Sequence, residues 1–244
     1  MTRDFLKDSA RKRTDFSGTD QNRGVPPPPI QKPVPEGATV IPLPGPNNFD
    51  FEIDLTKAIG NRKSRRSFTE KLLTLKELAF LLWASQGVRG EPGKVHAFRN
   101  VPSAGCRHAL ETYIIIFRVE GLEKGIYRYL PLDHGLVRVS APEKLEDSTT
   151  EASLGQKFAG AAAATFVWTS IPYRMEWRYS QVSYKVIAID AGHACQNLYL
   201  ACEAAGCGTC AIAAYDQDLM DTLLGVDGDD EFTVYIAPVG KVNE

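Results

Sequence analysis

The sequence predicts an α+β fold behind a proline-rich extension, and three observations carry that expectation. Apolar residues recur at helical spacing in two long stretches, four or five short runs read as strands, and the two kinds mix without the regular beat of a doubly wound sheet. With 244 residues, 43% of them hydrophobic, the chain can bury one sizeable core. Residues 1–50 are expected to form the extension and residues 51–244 the globular domain.

GVPPPPIQKPVPEGATVIPLPGP, residues 24–46, holds nine of the fifteen prolines and predicts polyproline II rather than helix or sheet. Such a segment can lie as a fixed strap across a surface or serve as a ligand for an aromatic groove, and the strap is the preferred reading. LTLKELAFLLWAS, residues 73–85, has helical spacing behind Thr74, an N-cap with Glu77 three residues on. ETYIIIFRV (111–119) reads as a buried strand and IYRYLPLDHGLVRVS (126–140) as a hairpin around Asp133, His134 and Gly135. GAAAATFVWTSI (160–171) and EFTVYIAPVGKV (231–242) supply further strands. Between them, Tyr184, Ile187, Ala188, Ala191, Cys195, Leu198, Cys202 and Ala205 mark one face of a long helix from Ser183. Gly206 is the residue expected where that helix ends in a left-handed turn.

Charge and composition narrow the partners. With 28 basic and 30 acidic residues, a net charge of -2 offers no general case for nucleic acid or an anionic membrane, so any anion site must be local. No uninterrupted run of about 18 apolar residues occurs, and MTRDFLKDSARKRTDF is charged rather than signal-like. A cytoplasmic protein is the expectation. Five cysteines, an odd number, point to reduced thiols rather than a disulfide scaffold.

CEAAGCGTC, residues 202–210, has the C-x4-C-x2-C spacing of a plant-type iron–sulfur loop. Cys202, however, falls on the apolar face of the long helix, and nothing after Cys210 supplies a fourth ligand. Cys207 and Cys210 also match a dithiol motif, but one that normally opens a helix after a strand, whereas here it follows a helix; a structural loop is preferred.

Two stretches have clearer chemistry. In NRKSRRSF, residues 61–68, an extended backbone would turn Arg62, Ser64 and Arg66 to one side. Two guanidinium forks and a hydroxyl suit a phosphate monoester, although a solvated basic loop fits the spacing equally well. In VPSAGCRHALETY, residues 101–113, Gly105 permits close backbone approach to a flat ligand; the alternative is a simple lead-in to the next strand.

Together these pieces resemble the nitroreductase superfamily. NRKSRRSF is similar to its R-x-S-x-[RK]-x-F opening, PSAG to its second flavin-contacting turn, and GCGTCAIAAYD to its G-x-G-x-x-x-I-x-x-[FY]-D segment. DFSGTDQNRGVPPPPIQKPVPEGA, LLWASQGV, AIDAGHACQNLYLA and YIAPVGK resemble the SagB-type dehydrogenases within it, so the likeness spans residues 14–242. The resemblance implies a central, mostly antiparallel sheet flanked by helices and a homodimer with FMN at the subunit interface. It also implies hydride from NADH or NADPH to flavin N5, then electrons to a small organic acceptor such as a nitroaromatic or quinone. By the same resemblance Arg62, Ser64 and Arg66 would hold the phosphate and ribityl chain, with Lys241 in reach of the phosphate. Pro102, Ser103, Ala104 and Gly105 would lie along the flavin, and Ala211, Ile212 and Ala213 would pass its other edge near N5. No acid or base side chain is required, since the flavin supplies the chemistry; Tyr184 is the one candidate. The alternative is a flavin-binding or storage protein, or a subunit of a peptide-modification complex.

Two departures from the family qualify this. Cys106 stands where many nitroreductases have Asn, and a thiol is a poor donor. Azoline-oxidising SagB-type members carry Lys-Tyr near the start of the long helix, whereas here Ser183 precedes Tyr184 and Lys185 follows it, a rotation of about 100°. Of the remaining residues, His193 reads as helix packing or interface, Trp168 and Trp177 as core aromatics with WTSIPYRMEWRYS a possible lid, and DGDDE (227–231) as a turn, not a calcium loop.

Overall fold

The computed structural model describes residues 3–93 and 96–243. Its strands are β1 (Val40–Pro42), β2 (Leu110–Ile116), β3 (Gly125–Leu130), β4 (Gly135–Ser140), β5 (Ala164–Ser170), β6 (Cys207–Thr209) and β7 (Phe232–Lys241). They form one sheet in the order β1-β4-β3-β2-β5-β7-β6, and each neighbouring pair runs antiparallel. The α+β expectation and the antiparallel sheet both hold.

The helices are α1 (Leu55–Asn61), α2 (Leu75–Gln86), α3 (Leu145–Ala152), α4 (Lys157–Gly160), α5 (Tyr173–Tyr179), α6 (Ser183–Ala204) and α7 (Gln217–Leu224). Helices cover both sheet faces, which is why β2 reads as a continuous apolar run. Its Ile114 and Ile116 enter the core beneath α2 and α6, while Tyr113 and Ile115 enter a second core with Leu145 of α3 and Met220 of α7. Thr74 and Glu77 form the expected capping box at the start of α2.

The long helix α6 ends as predicted: Ala205 caps it and Gly206 takes φ +60°. Its buried face differs slightly from the predicted one. Ile187, Ala191, Cys195, Leu198 and Cys202 are buried, but Ala188 and Tyr184 face outward. Ala194 and Ala201 take their place, because the stripe drifts around the helix over its 22 residues.

The proline-rich segment is a strap, with one correction. Val40–Pro42 is not polyproline II but the edge strand β1, paired with β4; an edge position tolerates Pro42 because its missing N–H faces no partner strand. Upstream, buried arginines hold the strap by its carbonyls. Arg99 donates to Ile30 O at 3.0 Å, and Arg128 donates to Lys32 O at 2.8 Å and Pro33 O at 2.6 Å. Gln31 bonds both Asp133 and the Leu132 N–H at 2.9 Å, and Trp177 Nε1 donates to Val25 O at 2.9 Å. The extension is thus built into the domain through one sheet and many fixed contacts.

Candidate functional site

Asp54 caps α1 by accepting the Lys57 N–H, and the helix ends at Asn61, delivering Arg62 to extended backbone. Ser64 bridges Thr209 in parallel, and Arg65 N–H donates to Thr209 O at 2.9 Å, so the segment lies along the end of β6. Tyr199 of α6 receives it. Ser64 Oγ lies 2.9 Å from Tyr199 Oη, and the Arg62 guanidinium sits over the Tyr199 ring, 5.3 Å from its centroid. The same hydroxyl accepts the Ala211 N–H at 2.9 Å, so a single oxygen joins the 62–66 segment to the 211–213 loop.

That loop continues around the site. Ile212 exchanges backbone bonds with Ile236, and the Ala214 carbonyl accepts from Gln156 Nε2 at 2.9 Å. Arg66 stacks on Phe158, two residues from Gln156, at 6.0 Å. Arg62 and Ser64 therefore flank one end of the loop and Arg66 the other. Neither Arg62 nor Arg66 has a carboxylate within ion-pair distance among the described residues, whereas Arg65 is committed to Glu203 at 2.6 Å.

The Pro102–Gly105 turn lies elsewhere on α6. Asp190 is buried against it; burial raises its carboxyl, while Ser103, His193 and the Ala104 backbone nearby pull the other way. Gly105 has φ +58°, and a Cβ there would come within 2.4 Å of Tyr179 Oη, so any larger residue is strained and has to displace that side chain. Ser103 Oγ accepts the His108 N–H at 2.9 Å. Asp190 and Tyr199 are nine residues apart, about 13.5 Å along the helix and half a turn around it. The turn and the Tyr199 cluster thus lie on opposite sides of α6 and are well separated along it.

Lys241 does not join the cluster. Its ammonium is held by Glu77 at 2.6 Å and the Ala205 carbonyl at 2.9 Å, closing the end of α6 against the cap of α2. Tyr184 lies in the first turn of α6, beside Tyr173, Glu176 and Phe232; burial and then the neighbouring Glu176 raise its hydroxyl, a poor setting for an acid. The five thiols are free. Cys207 lies in strand β6, not a loop, and burial pushes its thiol up to about 12 despite Lys241 nearby. Cys202 is buried on α6, its thiol pushed well up by burial and then by Cys207. Trp168 is fully buried and Trp177 nearly so, so the stretch around them is core and strap anchor, not lid. Asp227 Oδ1 accepts from the N–H groups of residues 229, 230 and 231, which makes 227–231 a tight turn.

The pattern that defines the nitroreductase family matches residues 59–241. This chain belongs to the nitroreductase family. It is 31% identical over 190 residues to a Methanocaldococcus jannaschii protein named as a nitroreductase, covering 78% of this chain and 92% of the relative. The solved structure of a Ralstonia eutropha protein, also named as a nitroreductase, superposes with TM-score 0.70 at 26% identity, over 90% of this chain and 99% of that one. The trifolitoxin-processing protein TfxB of Rhizobium leguminosarum bv. trifolii is 27% identical over 136 residues, 54% of this chain but only 36% of its own length. Among the described residues no helix of this nitroreductase-family chain is long and apolar enough to cross a membrane.

Two residues of this nitroreductase-family site were not singled out from sequence. Tyr199 lies at the margin of the apolar face of α6, and its partners are 135 and 12 residues away, so spacing carries no trace of it. Asp190 left a signal: a carboxylate between Ile187, Ala191 and Ala194 falls on a buried helix face and demands a partner.

Proposed function

We propose that this member of the nitroreductase family is an FMN-dependent oxidoreductase that works as a homodimer. The observation that supports it most strongly is the position of Arg62 and Ser64 at Tyr199, joined to the 211–213 loop, with Arg66 close in sequence. Two guanidinium groups without carboxylate partners among the described residues, beside an exposed serine hydroxyl, are the donor set a phosphate monoester requires. The residues therefore fit FMN. Bound there, FMN would supply hydride chemistry at N5, accepting from NADH or NADPH and giving to a small organic acceptor.

The chain's own contribution is binding and orientation. Arg62, Ser64 and Arg66 would neutralise the phosphate. The Ala211 and Ile212 N–H groups are already donated to Tyr199 and Ile236, which leaves Ala213 to offer its N–H along the flavin edge. Lys241, committed to Glu77, is withdrawn from the proposed phosphate contacts.

The homodimer reading rests on α6. A ligand touching both the Tyr199 cluster and the Pro102–Gly105 turn of one chain would have to pass around the helix. A second copy offers its own turn instead. Between the two sites α6 leaves Ala188, Ile189, Gly192, His193 and Gln196 exposed, a small and largely apolar strip that a partner helix can cover closely.

A second reading, a subunit of a peptide-modification complex without turnover of its own, is favoured by the likeness to TfxB. One measurement separates the two. Purified protein should be yellow, and NADH or NADPH should bleach it anaerobically. A colourless preparation that binds no added FMN overturns the flavoprotein reading, and a yellow one that neither nucleotide reduces favours the second.

A further inference from the structure

We propose that Tyr199 is a positioning residue that passes one donor chain from the flavin-edge loop to the phosphate site, so that preference for a phosphorylated ligand depends on its hydroxyl. The proposal rests on the FMN reading and deepens it. The hydrogen inventory sets the direction of the chain. Ala211 N–H can only donate, so the Tyr199 oxygen is its acceptor. The Tyr199 O–H then needs an acceptor of its own, because the residue is only 9% exposed, and Ser64 Oγ at 2.9 Å is the one within reach among the described residues. With Tyr199 donating to it, the exposed Ser64 keeps its own hydrogen for an outside acceptor.

The chain therefore runs Ala211 N–H to Tyr199 O–H to Ser64 O–H, each donor polarising the next and the last pointing outward. The Arg62 guanidinium over the Tyr199 ring adds positive charge at the same spot. An anionic oxygen gains most from such a terminus; a neutral hydroxyl in the same place gains little.

Tyr199→Phe keeps the ring, and with it the Arg62 contact, and removes only the oxygen. The full-length protein, stripped of flavin, is titrated with FMN and with riboflavin, following flavin fluorescence. The variant keeps the Ser64 O–H and loses only its polarisation, so it is expected to lose about two- to fourfold in FMN-over-riboflavin preference, with riboflavin affinity little changed. Ser64→Ala, which removes the terminal donor itself, should lose more, about tenfold, and the double variant should lose no more than Ser64→Ala alone. Equal weakening of both ligands, an unchanged preference or additive losses overturn the proposal. Should Tyr199→Phe not fold, Tyr199→3-fluorotyrosine, a stronger donor of similar shape, should raise the preference, and a lowered or unchanged preference overturns the proposal as well. A wild-type protein that binds riboflavin as tightly as FMN removes the phosphate reading itself, and this proposal with it.

Discussion

Arg174 Nη2 donates to Glu111 Oε1 at 2.5 Å in a place where the two side chains are only 3% and 1% exposed. Arg128 approaches the other Glu111 oxygen at 3.4 Å, and the Lys32 N–H of the strap donates to the same carboxylate at 2.9 Å. Burial alone would raise the Glu111 carboxyl, but Arg174, Arg99 and Arg128 together hold it below its ordinary range. One carboxylate thus ties β2, β3, α5 and the strap together.

Replacing it should be costly. Glu111→Gln leaves Arg174 and Arg128 without their shared counter-charge, and about 3–5 kcal/mol of stability should go. Urea unfolding measures the loss. Limited proteolysis should also begin to cut within residues 24–39, since the two Arg128–strap contacts and the Lys32 N–H bond depend on Glu111.

The proposed phosphate donors should act together. Arg62→Ala combined with Arg66→Ala is expected to weaken FMN binding at least about a hundredfold, two charge-assisted bonds at roughly 1.5 kcal/mol each. Stability should change little, because Arg66 is exposed, Arg62 only half-buried, and neither has a carboxylate partner among the described residues. Equilibrium dialysis checks the first and thermal unfolding the second.

Gly105→Ala combines a left-handed backbone with a Cβ that meets Tyr179 Oη at 2.4 Å. We expect a loss of about 1–3 kcal/mol and a displaced turn. Gly206→Ala, where φ is +60° but the nearest atom is 3.8 Å away, should cost less, about 1 kcal/mol. Paired unfolding curves compare them.

His108 makes the fold sensitive to mild acid. Burial first, and then the charge of Arg99, lower its imidazole from 6.5 to about 3. The unfolded chain takes up a proton below pH 6.5 that the folded chain refuses. Its stability contribution is therefore fully present above pH 6.5 and is lost as pH falls toward about 3. His108→Gln should flatten the dependence of unfolding free energy between about pH 6 and 4.5 by up to about 1.4 kcal/mol per pH unit.

Thiol chemistry should be almost silent in the native protein. Cys195, Cys202, Cys207 and Cys210 are buried, and only Cys106 is partly open. Burial, aided by Cys210 nearby, pushes the Cys195 thiol up to about 12. At neutral pH we expect no more than one of the five thiols to react promptly with a disulfide reagent, and all five in denaturant.

Elements set by local signals were legible in the sequence. The Thr74–Glu77 cap, the hairpin at His134 and the turn at Gly206 each depend on residues a few positions apart. The extended segment that bears Arg62 and Ser64 was legible for the same reason. Edge strand β1 was not: nine prolines outweighed a three-residue pairing with a strand almost a hundred positions away. Lys241 could be placed next to the right strand, but not aimed, because its direction is decided by Glu77, 164 residues earlier. The relation of the Pro102–Gly105 turn to the Tyr199 cluster likewise required knowing which sides of α6 they press against.

Both outer strands of the sheet, β1 and β6, are only three residues long. A short edge offers too few free N–H and C=O groups to recruit a strand from another molecule. Without residues 1–50, β4 would become the rim: six residues, with Leu136 and Val137 no longer covered along that side. The proline strap is therefore also a guard against self-association, and a chain trimmed to its family-matching region should keep its ligand-binding residues and still precipitate.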